Sequence, residues 1–278
     1  MKKHYIQDIQ NFKKNKKRFA TITAYDYTSA VICNNLGFPL LLVGDSASMV
    51  MFGYDNTTPV TMNEMLLILK AVIRGNDSAL VVADMPFLSY QPSKRDALNN
   101  AGQFIKAGAN AVKMEGGREI ATKVEALVQS GIPVMGHIGL LPQSINAMSG
   151  YKIQGKTKDK AMTLIDDALL LEKMGIFSLV LEGVPAEVAE IITSKVKIPT
   201  IGIGSGPNCD GQIQVFHDVL GLFNKIVPKH TKQFVDGYKH LTAGLKKYKT
   251  TAEKGVFPDS KHYTKLSAKV LKELSESS

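Results

Sequence analysis

Short apolar runs alternate with amphipathic stretches along most of this chain. Residues 19–25 (FATITAY) are rich in β-branched side chains and stop at Asp26, which predicts a first strand. Residues 26–36 open on that capping side chain and read as a helix closed by Gly37. Residues 39–44 predict a second strand. Thr61 and Glu64 form a capping box ahead of a helix over 65–74. Further strands are predicted over 79–84, 111–114, 132–138, 177–181, 199–203 and 213–216. Helices are predicted over 93–107, 118–130, 158–174 and 185–194, the last with Pro185 at its first position. A proline-bearing loop is expected over 139–155.

Strand and helix thus alternate about eight times. Near-continuous apolar strands indicate a parallel sheet covered on both faces. Eight βα units in this length favour a closed (β/α)₈ barrel of the α/β class over an open doubly wound sheet. The expected organisation is one domain over residues 1–278. Residues 1–18 form an N-terminal helical segment, and residues 225–278 form Lys-rich amphipathic helices packed on the barrel as an appendage.

Composition changes this picture little. The 278 residues are 44% hydrophobic and 21% charged, enough for a sizeable core. No run approaches 18 uncharged apolar residues, so no membrane partner is expected. The basic N-terminus lacks the apolar segment of a secretory signal and contains Asp8, so a cytoplasmic location is expected. Cys33 and Cys209 lie far apart without a paired motif and read as buried free thiols.

The net charge of +9 raises nucleic acid as a partner, but its distribution argues against one. Residues 1–18 carry seven Lys and Arg against one acid, and residues 225–278 carry twelve against five. Residues 19–224 hold fifteen against nineteen. The basic ends lack interleaved aromatics and read as solvated helix faces.

Candidate chemistry lies where strands stop. Asp45, Asp84, Glu115 and Glu182 all close apolar runs, and chemistry in parallel α/β proteins sits at the carboxyl ends of strands. One acid in such a place merely caps the next helix as readily as it does chemistry. Four at one rim would raise each other's pKa unless a cation were present, and oxygen ligands with water suit Mg²⁺. Lys113 lies two residues before Glu115, so both side chains share one strand face. A Lys pointing into a barrel must meet an anion, either an internal carboxylate or that of a substrate. His137 sits among glycines at a strand end. It reads as a site residue, with His217 the weaker alternative. The Gly202-Ile-Gly-Ser-Gly206 turn does not fit a dinucleotide fingerprint, because no ribose-binding acid and βαβ unit follow it.

These residues sit in segments that resemble the ketopantoate hydroxymethyltransferase family. The segments are TAYDYTSA (23–30), VGDSASMVMFGYDNTTPVTMNEM (43–65), VVADMPFLSY (81–90), AVKMEGG (111–117), PVMGHIGLLPQS (133–144), LVLEGVP (179–185), IGIGSGPNCDGQIQVFHDVLGL (201–222) and GVFPDSKHY (255–263). They cover most of residues 19–222 in the family's order. The resemblance implies a cytoplasmic, commonly decameric, Mg²⁺-dependent (β/α)₈ barrel. It also implies transfer of a hydroxymethyl group from 5,10-methylenetetrahydrofolate to 3-methyl-2-oxobutanoate, with Mg²⁺ stabilising charge on the keto oxygen. By resemblance Asp45, Asp84 and Glu115 hold the metal, Glu115 partly through water, and Glu182 is the base. Asp45, Ser46, Asp84, Lys113 and His137 hold substrate. Ala47-Ser48 replaces the family's usual Leu-Gly, and Ser205 its usual Ala, which touches loop packing and not the chemistry. The alternative is another Mg²⁺-dependent 2-oxo-acid lyase or mutase of the phosphoenolpyruvate mutase/isocitrate lyase type. Residues 49–61 are expected to cover the site.

Overall fold

The eight apolar runs become eight parallel strands that pair in sequence order and close, β1 against β8, into a barrel. A computed structural model describes residues 2–148, 150, 152–223 and 227–277. In chain order the elements are α1 (Ile6–Lys14), β1 (Phe19–Thr23), α2 (Tyr27–Asn35), β2 (Leu40–Val43), α3 (Ala47–Val50) and α4 (Met62–Arg74). Then come β3 (Leu80–Asp84), α5 (Lys94–Lys106), β4 (Ala111–Glu115), α6 (Ala121–Gln129) and β5 (Val134–Gly139). A 3₁₀ turn (Pro142–Ser144) leads into α7 (Ile145–Met148), followed by α8 (Lys158–Lys173), β6 (Ser178–Glu182), α9 (Ala186–Lys195) and β7 (Thr200–Ile203). The chain ends with β8 (Gly211–Gln214), α10 (Phe216–Val219), α11 (Gly237–Glu253) and α12 (Ala268–Glu276).

The helices start where their caps predict. The Asp26 carboxylate accepts from the Ser29 N–H, and Thr61 and Glu64 satisfy each other's backbone donors. Alternation along the strands then separates two cores. One face of each strand packs against the helix ring, with Leu41, Val43, Val81, Ala83, Val112 and Met114 among its members. The other face fills the barrel with Leu40, Leu42, Leu80, Val82, Ala111, Met135, Val180 and Ile201.

Helix α1 joins that inner core. Ile9 is fully buried, and Phe12 stacks on Phe19 with ring centroids 4.7 Å apart. Burying Ile9 stabilises this closure of the barrel's amino-terminal end by about 1.5–3 kcal/mol. Lys13 fixes the helix in place, donating at 2.9 Å to Asp210 and 2.7 Å to the Thr193 carbonyl. Asp210 in turn accepts from Thr200 N–H at 2.8 Å. Lys13→Met is expected to lower the unfolding free energy by about 1–3 kcal/mol, the usual cost of stranding a charge-assisted acceptor. Urea unfolding would measure it, and an unchanged midpoint would show that Ile9 and Phe12 suffice.

Three features depart from the sequence reading. β8 covers Gly211–Gln214 instead of residues 213–216, because its register is set by β1, with Phe19 opposite Gly211 and Ile22 opposite Gln214. The loop after β5 contains a 3₁₀ turn and a short helix. Helices α11 and α12 of the C-terminal segment are not packed on the barrel: neither has a buried residue. Their apolar side chains stay exposed, among them Tyr238, Leu241, Leu245 and Tyr248 at helical spacing.

Candidate active site

The inward-facing positions change character along the barrel axis. On β3 the series Leu80, Val82, Asp84 ends in a carboxylate, and on β4 the series Ala111, Lys113, Glu115 turns charged after one residue. On β5 Met135 is followed by His137, and on β6 Val180 by Glu182. Pairing then sets these groups side by side, with Asp84 opposite Lys113, Glu115 opposite His137, and Glu182 opposite Gly139. Asp45 follows β2 after Gly44, and its N–H lies 3.3 Å from Asp84 Oδ2. The structure therefore gathers Asp45, Asp84, Lys113, Glu115, His137 and Glu182 at the carboxyl-terminal mouth.

A continuous line of charge runs through the cluster. Lys113 Nζ donates to both Asp84 oxygens, at 2.7 and 2.8 Å, and lies 3.6 Å from Glu115 Oε1. His137 bridges two acids, with Nδ1 3.3 Å from Glu115 Oε1 and Nε2 3.4 Å from Glu182 Oε2. Neither contact has hydrogen-bond geometry, so both are ion-pair approaches. The Glu182 side chain is 17% exposed, whereas those of Asp84, Lys113, Glu115 and His137 are almost wholly buried. Of these five groups, Glu182 presents its oxygens to the opening.

Burial and mutual repulsion set the protonation of this cluster. Burial lifts Asp45 well above the usual carboxylate range, and Asp84 and Glu115 lift it further against Lys113 and Gln143. Burial also raises Asp84, though the Lys113 ammonium holds it back. Burial works against Lys113, but Asp84, Glu115 and Asp45 outweigh it and keep the ammonium charged. Burial opposes ionisation of Glu115 too, yet Lys113 and His137 bring its pKa below the ordinary value. His137 loses to burial and to Lys113 but gains more from Glu115 and Glu182, and its pKa rises to about 9.

Two expected substrate groups are engaged internally. Lys113 makes the internal salt bridge described above, and Ser46 Oγ lies 2.8 Å from the Tyr25 hydroxyl. His217 is on α10, with its ring centroid 5.3 Å from that of Tyr25. The glycine turn after β7 braces β6. Ser205, held between positive-φ Gly204 and Gly206, donates to Leu181 O at 2.7 Å and accepts from Val184 N–H at 3.1 Å. Residues 49–61 begin with α3 and are pinned by Ser48 Oγ, which donates to Asn56 O at 2.7 Å, while Phe52 and Tyr54 remain exposed.

The donor set suits a hard cation of low protein ligation. Among the described residues no three acid, His or Cys side chains are disposed as a ready-made metal cage. Mg²⁺ needs no such cage, because it keeps several waters and takes one or two carboxylates together with substrate oxygens. Asp45 and Asp84 fit that mode, and Glu115 Oε1 is buried without a hydrogen bond. Asp45, Asp84 and Glu115 together exceed the charge of Lys113, which leaves room for a cation.

Gln143, Tyr90 and Tyr25 were not flagged by the sequence pattern. Gln143 is buried and bonded to Asp45, and Tyr90 Oη lies 2.9 Å from Glu115 O. The available signal was an amide directly after Pro142, in an otherwise apolar loop leaving a candidate strand.

Buried Asp218 on α10 carries a separate consequence. Burial pushes its carboxyl up to about 6, above the unfolded value, so the folded state binds the extra proton. Its contribution is favourable below about pH 4 and is lost as pH rises through 6. Asp218→Asn is expected to flatten stability between pH 4 and 7, gaining about 1 kcal/mol at neutral pH after allowing for partial solvation. Urea midpoints across that range would test it, and an unaltered slope would acquit Asp218.

Comparison with known proteins places the chain clearly. Residues 3–260 match the family model described as ketopantoate hydroxymethyltransferase. The chain is 53% identical to a 3-methyl-2-oxobutanoate hydroxymethyltransferase of Dehalococcoides mccartyi over 270 residues, 97% of each chain. It is 52% identical to the protein of that name from Nitrosopumilus maritimus over 271 residues, 98% of this chain and 97% of the other. Among solved structures it resembles a phosphonopyruvate hydrolase in complex with oxalate and Mg²⁺, with a TM-score of 0.62 at 13% identity, covering 100% and 96% of the two chains. It also resembles 2,3-dimethylmalate lyase, a member of the phosphoenolpyruvate mutase/isocitrate lyase superfamily. That TM-score is 0.58 at 14% identity, with 98% and 99% covered. At such identities these two likenesses establish the barrel fold alone.

Proposed function

The chain belongs to the ketopantoate hydroxymethyltransferase family, and from that premise we propose how its strand-end cluster transfers a hydroxymethyl group to 3-methyl-2-oxobutanoate. With 5,10-methylenetetrahydrofolate and water as the other reactants, the products are 2-dehydropantoate and tetrahydrofolate. The observation that carries the reading is the line from Glu182 through His137 to Glu115 and Lys113. It places one solvent-reaching carboxylate beside a buried cluster of acids, an ammonium and an imidazolium.

Glu182 takes the C3 proton of the keto acid. His137, cationic at neutral pH, pairs with Glu182 and aims it before that step and stays paired with Glu115 during it. Lys113 and Ser46 receive the keto-acid carboxylate, Lys113 sharing its ammonium with Asp84. Asp45 and Asp84, with Glu115 behind them, would hold Mg²⁺, which would supply Lewis acidity toward the keto oxygen when bound. Water releases the one-carbon unit at the oxidation level of formaldehyde as both of its C–N bonds to the folate break and the two nitrogens take up the water's protons. The C3 carbanion attacks that carbon, forming the new C–C bond, and the resulting alkoxide takes back the proton held by Glu182. The buried surroundings keep water from quenching the carbanion.

The direct test is incubation of the protein with Mg²⁺, 3-methyl-2-oxobutanoate and 5,10-methylenetetrahydrofolate, with detection of 2-dehydropantoate. Absence of product, together with cleavage or isomerisation of a 2-oxo acid, would instead favour the lyase or mutase reading that the shared barrel suggests. Cys33 and Cys209 count against that reading, because neither belongs to the strand-end cluster.

The working unit we infer is a homodecamer in the cytoplasm, with small-molecule substrates and neither membrane nor nucleic acid as partner. Among the described residues no helix is long and apolar enough to cross a membrane. The exposed apolar faces of α11 and α12 support self-association. Light scattering after size exclusion should give about ten times the 30.3 kDa chain mass, and a monomer would sink the assembly reading.

A further inference from the structure

One buried residue touches two of the site's acids at once. Gln143 lies in the 3₁₀ turn after β5 and reaches across the mouth toward β2 and β3. Its Nε2 donates to Asp45 Oδ2 at 2.9 Å and to Met85 O at 2.8 Å. Its Oε1 lies 3.0 Å from the Tyr90 hydroxyl and accepts from Gln91 Nε2 at 3.1 Å. Its backbone N–H donates to Glu115 Oε2 at 3.1 Å. Two amide protons and two carbonyl lone pairs exhaust what a glutamine side chain can offer. Main-chain Met85 O can only accept, so the amide has one orientation.

This saturation sets Gln143 apart from a space-filling core residue. Among the described residues, its Nε2 supplies the hydrogen bond that the Asp45 carboxylate accepts. The same residue restrains the Glu115 carboxylate through its main chain, so one position spaces two acids that repel each other. We infer that Gln143 is a positioning residue, whose side-chain amide fixes Asp45 for the cation and whose backbone fixes Glu115 independently. The inference rests on the assignment of Asp45 to the cation in the function proposed above. It assigns Gln143 a role that the sequence reading did not.

The two halves of the amide make the role separable. Gln143→Met removes both halves at nearly constant volume. Gln143→Glu keeps acceptors for Tyr90 and Gln91 but turns the donor to Asp45 into a third repelling acid. Tyr90→Phe removes a bond to Oε1 and leaves the donor to Asp45 in place.

Mg²⁺ affinity would be measured by calorimetry without substrates, alongside thermal midpoints and steady-state rates. Both Gln143 variants are expected to bind Mg²⁺ 10- to 100-fold more weakly, as when a partner orienting a metal ligand is lost. Tyr90→Phe should change the affinity only a few-fold. At saturating Mg²⁺ kcat should fall less than the affinity does. Parent-like Mg²⁺ affinity in Gln143→Glu or Gln143→Met, or a loss of kcat with affinity intact, would overturn the inference. So would failure of the parent protein to bind Mg²⁺. If the parent bound Mg²⁺ but formed no 2-dehydropantoate, the proposed reaction would fall while the comparison of affinities still judged Gln143.

Discussion

Glu182→Gln is expected to abolish exchange of the C3 proton of 3-methyl-2-oxobutanoate in deuterated water, with turnover reduced by about 10²- to 10⁴-fold. The amide is the same shape as the carboxylate but has no basic oxygen at neutral pH. The fold should hardly notice. The strand end is secured by main chain, with Leu140 N–H donating to Glu182 O at 2.7 Å and Gly183 N–H to Ile203 O at 3.0 Å. The side chain is partly exposed and its protein contact is the ion-pair approach to His137. A stability change within about 0.5–1 kcal/mol is therefore expected. Exchange at the parental rate, followed by proton NMR with Mg²⁺ present, would remove Glu182 from the role of base.

Lys113→Met carries the largest expected effect on stability. The ammonium sits between Asp84 and Glu115 and is almost wholly buried. Removing it strands buried carboxylates, and breaking such a pair typically costs about 3–5 kcal/mol. The loss has a defined pH dependence. Without Lys113, Asp45 and Asp84 are raised further and Glu115 loses the ammonium that holds its pKa down, so folded protein takes up protons that unfolded protein does not. The variant should therefore be least impaired below about pH 4 and lose stability as pH rises through the raised values toward neutrality. Saturating Mg²⁺ should restore part of the loss, about 2.7 kcal/mol when present at 100 times its dissociation constant. Urea unfolding at pH 5 and 7.5, with and without Mg²⁺, would read both effects. Equal midpoints for parent and variant at pH 7.5 would show that the acids need no internal countercharge.

The parts of this site that alternation along a strand can express were legible in the sequence. Lys113 and Glu115 stand two apart and do share the barrel's inner face. Asp84, Glu115 and Glu182 end their strands as the apolar runs implied, and Asp45 follows its own after Gly44. Register and cross-barrel contacts were not legible. The strand reading of 213–216 followed the apolar Val215 and Phe216. The true strand starts at Gly211, whose missing side chain leaves room for the Phe19 ring. Gln143 bonds to Asp45 across 98 residues, a relation that no local pattern records. The apolar faces of α11 and α12 were visible as amphipathic helices, but periodicity does not say which surface receives them, and the barrel does not.

The way Glu182 is held bears on which changes this sequence tolerates. Gly139, at φ +103°, lies so close to Glu182 O that a Cβ there would collide with it, so β5 and β6 fit by backbone alone. Glu182 is thus a side chain placed on a strand end that stands without it. Lys113 and the acids around it have no such independence, since each balances the charge of the others. Variants at Glu182 should accumulate in cells as folded, inactive protein, whereas variants at Lys113 should be depleted by proteolysis before their chemistry matters. In this barrel, loss of abundance and loss of activity would separate by position along the same ring of residues.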